Sequence, residues 1–434
     1  MKDDAKTAPG FAERRTRMGQ IRCRLQGGLL KATGIPYAQA GRWEYPREVA
    51  AAPVNATSWS PACPQLPIAR LDAALPTAFD RLGFDENCLN LSVTAPEQAE
   101  GLPVMVWMHG GSYEAGAGDM AVFDPSALVS EQRVVVVSVT YRLGLLGWLS
   151  GAGRPANLGA FDVIAALRWV SRNIAAFGGD PGRVVLFGQS SGGDLAARLM
   201  LTEHAGRLFQ AAIIQSAPLN LPLRSRRMRN AMRRAAGILT SGMPISEILA
   251  RQHAVRKAAQ RYGLSGLMPF GPEFGEAPFP AESDLRQAWD RIAQDLPIMI
   301  GHTQDEAGLF MPPSSDLAGR MLDPVRRVAV RSLTSHIYGR PARNFARRYR
   351  QAGGKATSFL TEWGPGAFGR AHLSELPLLF PALDWIGTPL LPPGMSLDEL
   401  TRIGAPLRKL WADFARGENV GSDLPGVIRF LPQG

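Results

Sequence analysis

The sequence predicts an α/β protein built on a central, mostly parallel sheet covered by helices on both faces. Two observations carry that expectation. Short apolar runs rich in β-branched residues recur along the chain, and helical periodicity fills the stretches between them. The runs are Val104 to Met108, Val134 to Val139, Val184 to Phe187, Ala212 to Gln215 and Leu296 to Ile300. Their near-continuous hydrophobicity suits strands buried on both sides.

Between them, Phe161 to Ala175 places Val163, Ile164, Leu167, Val170 and Ile174 on one side and stops at Gly178-Gly179. Leu407, Leu410, Trp411 and Phe414 repeat that spacing near the end and stop at Gly417. In such sheets reacting groups gather at the carboxyl ends of strands. The stretch from Leu221 to Gly266 breaks the alternation with helices and is expected to cap the sheet's active edge. No linker separates it, so residues 1–434 are expected to form one domain. Residues 1–18 mix charges with small residues and are expected to form a loosely ordered arm.

Composition excludes several classes. The 434 residues are 45% hydrophobic and 20% charged, ordinary for a globular protein. No apolar run reaches membrane-spanning length, and the start lacks the apolar stretch of a secretory signal, so the expected location is the cytoplasm. Three cysteines make no disulfide framework and lack metal-ligand spacing. Lys+Arg 48 against Asp+Glu 38 gives a net charge of +10, densest from Leu223 to Arg234. On a helix, Met228, Ala231, Met232 and Ala235 would share an inner face with the arginines in water. No aromatic interleaving accompanies them, so no nucleic-acid or membrane partner is expected.

Val184-Val-Leu-Phe-Gly188-Gln-Ser190-Ser-Gly192-Gly193 reads as strand, Gly-x-Ser-x-Gly turn, then helix. The serine must sit on so sharp a turn that the residues two before and two after it meet neighbouring backbone, which demands glycine. The motif in this context points to the α/β-hydrolase fold with Ser190 as nucleophile. A second strand ends in His109-Gly110-Gly111. Acyl transfer places negative charge on the former carbonyl oxygen, which fixed backbone amides stabilise. The expected oxyanion hole comprises the amides of Gly110, Gly111 and Ser191.

A serine needs a base to take its proton, and in this fold the chain order is Ser, acid, His. After Leu296 to Gly301, either Asp305 or Glu306 could serve as the acid. Of six histidines, His109 belongs to the hole, His204 and His253 precede the acid, and His302 lies too near it in sequence. His372, after a Gly/Pro-rich loop, is favoured over His336 in a helical stretch. Tyr113 and Leu309-Phe310-Met311 flank these motifs and are expected to line a substrate pocket. Acyl transfer of this kind needs no metal or organic cofactor.

Further segments carry a resemblance that covers most of the chain. Gly34-Ile-Pro-Tyr-Ala38, Asp85-Glu-Asn-Cys-Leu-Asn-Leu91, Tyr141-Arg-Leu-Gly144, Asn157-Leu-Gly-Ala-Phe-Asp162, Phe177-Gly-Gly-Asp-Pro181 and Gln215-Ser216 occur in order. In these the chain resembles the type-B carboxylesterases, the group of cholinesterases and bacterial para-nitrobenzyl esterases. The resemblance implies a Ser-His-Glu triad of Ser190, His372 and Glu306, and an acyl-enzyme route to ester hydrolysis. It also implies that Cys63 and Cys88 are neighbours, expected here as thiols. Where that family has Gly-Glu-Ser-Ala-Gly, this chain has Gln189 and Ser191, and Asn87 stands where its cysteine signature has Asp. The segment from Glu306 to His372 is shorter than the family's, which implies a more open gorge.

The expected activity is hydrolysis of small to medium carboxylic esters by a monomer or weak homo-oligomer. An amidase, carbamate hydrolase or thioesterase could use the same site. A binding or adhesion protein on the same fold would have lost the triad, whereas all three residues are present here.

Overall fold

The computed structural model describes residues 10–75, 79–221, 226–311 and 323–432. Its core is a 12-stranded sheet in the order β1-β2-β3-β5-β7-β6-β8-β9-β10-β11-β12, with β4 beside β2. The amino-terminal strands are β1 (Gly10–Thr16), β2 (Gly19–Gln26), β3 (Leu29–Pro36), β4 (Val54–Asn55) and β5 (Asn90–Pro96). The strands that follow are β6 (Leu102–Met108), β7 (Val135–Val139), β8 (Gly179–Gln189), β9 (Ala211–Gln215), β10 (Ile298–Thr303), β11 (Ala356–Thr361) and β12 (Ile428–Phe430).

From β7 to β11 every neighbouring pair is parallel. The five apolar runs in the sequence fall on β6 to β10. Burial on both faces explains their composition: along β6, Val104, Val106 and Met108 enter one core while Met105 and Trp107 enter the other. Helices Leu158–Asn173 and Leu397–Ala415 match the two amphipathic patterns and bury them.

The expected arm is corrected in part. Residues 10–16 form β1, paired with β2 along its whole length, and Trp169 Nε1 reaches Met18 Sδ at 3.3 Å. Residues 1–9 lie outside the described residues. Of the expected cap, residues 222–225 also lie outside them. The remainder forms helices Arg226–Ala236 and Ile245–Gln260. The first buries Met228, Met232 and Ala236, with Ala231 and Ala235 partly covered. The second docks on loops that follow β6 and β7. Arg256 Nε donates to Glu114 Oε1 at 2.8 Å, and Gln252 Oε1 accepts from the Leu145 amide at 3.0 Å.

The Tyr141-Arg-Leu-Gly and Asn157–Asp162 segments meet in a buried ion pair. Arg142 donates to both Asp162 oxygens, at 2.8 and 2.6 Å, and its backbone amide reaches Asp162 Oδ2 at 3.1 Å. Both side chains are almost wholly buried, so the charges persist only because they are paired and fully hydrogen-bonded. Cys63 and Cys88 are buried free thiols side by side; the contact with Cys63, then burial, pushes the Cys88 thiol up. Among the described residues no helix is long and apolar enough to cross a membrane, and no group of three or more His, Cys, Asp or Glu could hold a metal ion.

Asp162→Ala strands the Arg142 guanidinium in the interior. Urea unfolding should show a loss of about 3–5 kcal/mol, and a loss below ~1 kcal/mol would mean that water reaches the arginine.

Candidate active site

Strand β8 runs into Ser190, and the helix Ser191–Leu199 starts at once. Ser190 has φ 59 and ψ −124, a conformation that only a strongly constrained non-glycine residue holds. The flanking glycines supply the constraint. A Cβ on Gly192 would stand 2.0 Å from the Met108 carbonyl oxygen, and one on Gly188 would stand 2.6 Å from the Gly192 carbonyl. The turn is held from β9 by a 2.9 Å bond from the Ser190 amide to the Gln215 carbonyl.

The loop after β6 lies against this turn. A Cβ on Gly110 would be 3.1 Å from Ser190 Cβ. Gly111 has φ 105, and a Cβ there would meet the Ala115 carbonyl oxygen at 2.0 Å. The amides of Gly110 and Gly111 donate to no acceptor among the described residues, and Ser191 opens a helix, where the first amides lack intrahelical acceptors. Gly110 thus packs against Ser190, Gly111 follows it in the same loop, and Ser191 is the next residue in the chain. The hydroxyl of Ser191 also ties the two loops together, accepting from the Tyr113 amide at 3.3 Å.

His109 braces the loop that carries Gly110 and Gly111. Its ring stacks on Tyr141 at 4.5 Å and its Nδ1 donates to the Gly110 carbonyl at 2.7 Å. Burial holds it down at about 4, so it is neutral at working pH.

Opposite, β10 ends in a short turn that presents Glu306, fully buried. Its Oε1 accepts from the Thr303 amide at 2.7 Å, and its Oε2 is bonded to His372 Nδ1. Burial alone would raise the Glu306 carboxyl; His372, as a charge and a hydrogen-bond partner, brings it below its usual value. Asp305 is half-buried and makes no such contact, and His336 is exposed, so both alternatives fall away from the centre.

No hydrogen bond joins the Ser190 hydroxyl to His372 among the described residues. His372 Nε2 instead lies 3.1 Å from the amide nitrogen of Gln189, the residue just before the serine. With Nδ1–H committed to Glu306, Nε2 is the ring's acceptor, and Gln189 holds it. Gln189 Oε1 has no partner.

A second carboxyl, Glu375, is buried three residues after His372. Burial, then the nearby Glu306 charge, pushes it up to about 7. Two buried carboxyls this close separate in acidity: Glu306 is the one that carries the charge, and Glu375 holds its proton until the pH approaches about 7. Gln215 Nε2 lies 3.5 Å from Glu375 Oε1. The sequence offered Glu375 only as part of the segment around His372.

Two expected pocket residues are corrected. Tyr113 is fully buried, with its hydroxyl on Asp194 Oδ2 at 2.7 Å and its ring against Trp148. Leu309 belongs to the core. Both flank catalytic motifs in sequence, but the backbone turns them inward. Phe310 does border the site, its ring 5.7 Å from that of His372. Met311 is partly buried, and its carbonyl accepts from Arg326. The pocket beside Gly110 and Gly111 is lined instead by Leu71, Leu75, Phe79, Met120, Phe123 and Leu373, which no motif marks.

Comparison with known proteins gives the family and the fold. The sequence model of the Carboxylesterase family matches residues 14–321. The chain is 34% identical over 417 residues to "Probable N-octanoylanthranilate hydrolase AqdA2" of Rhodococcus erythropolis, covering 91% of each. It is 31% identical over 450 residues to the para-nitrobenzyl esterase of Bacillus subtilis (strain 168), covering 94% of this chain and 90% of that one. A solved thermophilic para-nitrobenzyl esterase superposes with a TM-score of 0.79 at 26% identity, over 96% of this chain and 97% of that one. The fold is thus the α/β-hydrolase fold, with the parallel sheet and flanking helices that the sequence predicts.

Two variants test the site. Gly111→Ala drives a methyl into the Ala115 carbonyl and should lower kcat by about 10²–10³ with the fold retained. An unchanged kcat would remove Gly111 from the hole. Glu375 has a folded value above its unfolded one, so its contribution to stability is full below the unfolded value and is lost as pH rises through about 7. Unfolding free energies at pH 5 and pH 8 should therefore show wild type losing more than Glu375→Gln on alkalinisation; parallel losses would mean that Glu375 is ionised throughout.

Proposed function

The chain belongs to the carboxylesterase family and is a hydrolase of carboxylic esters; from that premise we propose that Ser190, His372 and Glu306 carry the reaction, with an oxyanion hole of Gly110, Gly111 and Ser191. The observation that supports this most is the Glu306–His372 pair standing beside a serine on a strained glycine turn.

For the reaction to begin, the Gln189 amide leaves His372 Nε2 and the Ser190 hydroxyl takes its place. Neutral His372 then accepts the Ser190 proton as Oγ attacks the ester carbonyl. The oxyanion is met by the three amides, in a setting where His109 and Tyr141 keep the loop rigid. His372 returns the proton to the leaving alcohol, an acyl group remains on Ser190, and water repeats the sequence. Glu306 keeps the proton of the imidazole on Nδ1 and stabilises the imidazolium. Below about pH 7 Glu375 is neutral and adds no second charge beside the imidazolium.

The pocket of Leu71, Leu75, Phe79, Met120, Phe123 and Leu373 suits an apolar acyl or alcohol group. Small to medium esters with one apolar side fit it best. A second scissile bond has a specific observation in its favour. The Rhodococcus relative is named as a hydrolase of N-octanoylanthranilate, an aromatic amide with a medium apolar acyl chain. The same triad could release an aromatic amine from such a substrate here. A purely adhesive role is disfavoured, because all three triad positions keep their chemistry.

Kinetics on paired aryl esters and anilides with acyl chains of two to ten carbons test both readings. Ester turnover should exceed anilide turnover at every length, and Ser190→Ala should lower both by about 10³-fold or more. Undiminished turnover in Ser190→Ala would reject the scheme, and faster anilide cleavage would make the amide the true substrate.

A further inference from the structure

The loop that carries Gly110 and Gly111 continues through Gly118 to Pro125, and this continuation has two sides. On one side Met120 and Phe123 border the apolar pocket beside the oxyanion hole. On the other side the same two residues border a second pocket, of about 280 Å³, between this loop, the face of β3, β5 and β7, and the segment around Asp384.

The second pocket is polar where the fold would allow it to be apolar. Its floor is a stripe of Lys31, Thr33, Ser92, Thr94 and Ser138 across three adjacent strands, with Lys31 opposite Thr94 and Ser92 opposite Ser138. The same sheet face continues as Val136, Met105 and Trp107. Four of these stripe residues are hydroxyls only 4–7% exposed: Thr33, Ser92, Ser138 and Thr94.

Asp119 also lines this pocket. It is 9% exposed, and its Oδ2 has no hydrogen-bond partner among the described residues. Two of the neighbouring cations are engaged elsewhere. Lys31 Nζ lies 3.1 Å from Asp124, and Arg81 lies 4.0 Å from Asp384 at the rim. Arg24 on β2 acts on Asp119 only from a distance, and its guanidinium lies over the Trp59 ring. A buried carboxylate oxygen without a donor costs stability unless a ligand supplies one. The catalytic reading makes no use of it.

We propose that this pocket binds a small organic ammonium that carries hydroxyl groups. Its N–H donates to Asp119 Oδ2, its hydroxyls meet the Ser/Thr stripe, and its carbon skeleton rests on Met120 and Phe123. Because those two side chains are also a wall of the substrate pocket, an occupant pressing on them narrows the space beside Gly110 and Gly111. Binding strengthens as pH rises through about 6, where Asp119 loses its proton, with Arg24, Lys31 and Asp124 the charged groups packed around it.

The probe is Tris, an ammonium with three hydroxyls, added to the full chain in phosphate buffer and matched in ionic strength by sodium chloride. Melting temperature is the first readout, and it is independent of catalysis. Tris should raise it saturably, while pentaerythritol, an uncharged tetraol, should not. Asp119→Asn should abolish the response. Thr94→Val, which leaves the carboxylate in place, should weaken Tris binding about fivefold, the worth of one hydrogen bond. A second readout rests on the esterase reading: the KM of a bulky aryl ester should rise about fivefold at saturating Tris, within the usual range of coupling between sites. That rise should vanish in Asp119→Asn, whereas simple capture of the acyl group by Tris would persist. No saturable melting response, an equal response to pentaerythritol, or a response undiminished in both variants would overturn the proposal.

Discussion

The close approach of Gly192 to the carbonyl of Met108 is the contact on which the rest of the site depends. It clamps the turn after β8 against the end of β6, leaving no room for a methyl group between them. Once the clamp is set, Gly110 must lie against Ser190, and the serine must take a backbone conformation it would not otherwise hold. The proposed nucleophile and two of the proposed oxyanion donors therefore share one packing constraint between adjacent parallel strands. The hydroxyl of Ser191 and the stacked pair of His109 and Tyr141 then stiffen the same junction. Oxyanion donors help only if they need no reorganisation when charge appears, and this bracing meets that requirement.

Electrostatics complete what packing begins. Among the ionisable groups buried in this layer beside His372 are Glu306, Glu375, His302 and His109. Burial keeps both accessory histidines neutral-leaning, and burial with the Glu306 charge holds Glu375 up at about 7, so that Glu306 is the stronger acid of the two. One carboxylate is left to face one imidazole. This division, unlike the clamp, depends on groups that no single motif joins, since they arrive on β10, on the loop after β11 and on the strand end after β6.

The legible and illegible parts of this chain differ in how local their causes are. The parallel strands β6 to β10 could be read because burial on both faces leaves an apolar run in the sequence. The amino-terminal strands were harder: β2 alternates Ile21 and Cys23 with Arg22 and Arg24, and β1 offers only Phe11 and Ala12, on opposite faces, before Glu13, Arg14 and Arg15, so the beginning of the chain passes for an arm. The glycine turns could be read because their conformations exclude other residues. The substrate pocket could not. Leu71 sits on the short helix Ala69–Ala74, Phe123 on a single helical turn, and Phe79 and Met120 on loops, all aimed by tertiary packing, whereas Tyr113 and Leu309 adjoin motifs and yet turn into the core. Gln189 is an intermediate case. Its replacement of the family's Glu was visible, but that its amide would rest on His372 Nε2 follows from the turn's geometry.

That contact occupies His372 Nε2, and in the proposed mechanism the Ser190 hydroxyl must displace it. The direct test is a crystal structure of the chain after reaction with an aryl phosphonate, which stands in for the tetrahedral intermediate. Phosphorus should be bonded to Ser190 Oγ, with one oxygen about 2.7–3.1 Å from the amides of Gly110, Gly111 and Ser191. The Gln189 amide should have withdrawn from His372 Nε2, with Glu306 still on Nδ1. Phosphorus on any other residue, or a Ser190 adduct whose oxygen points away from those three amides, would contradict the account.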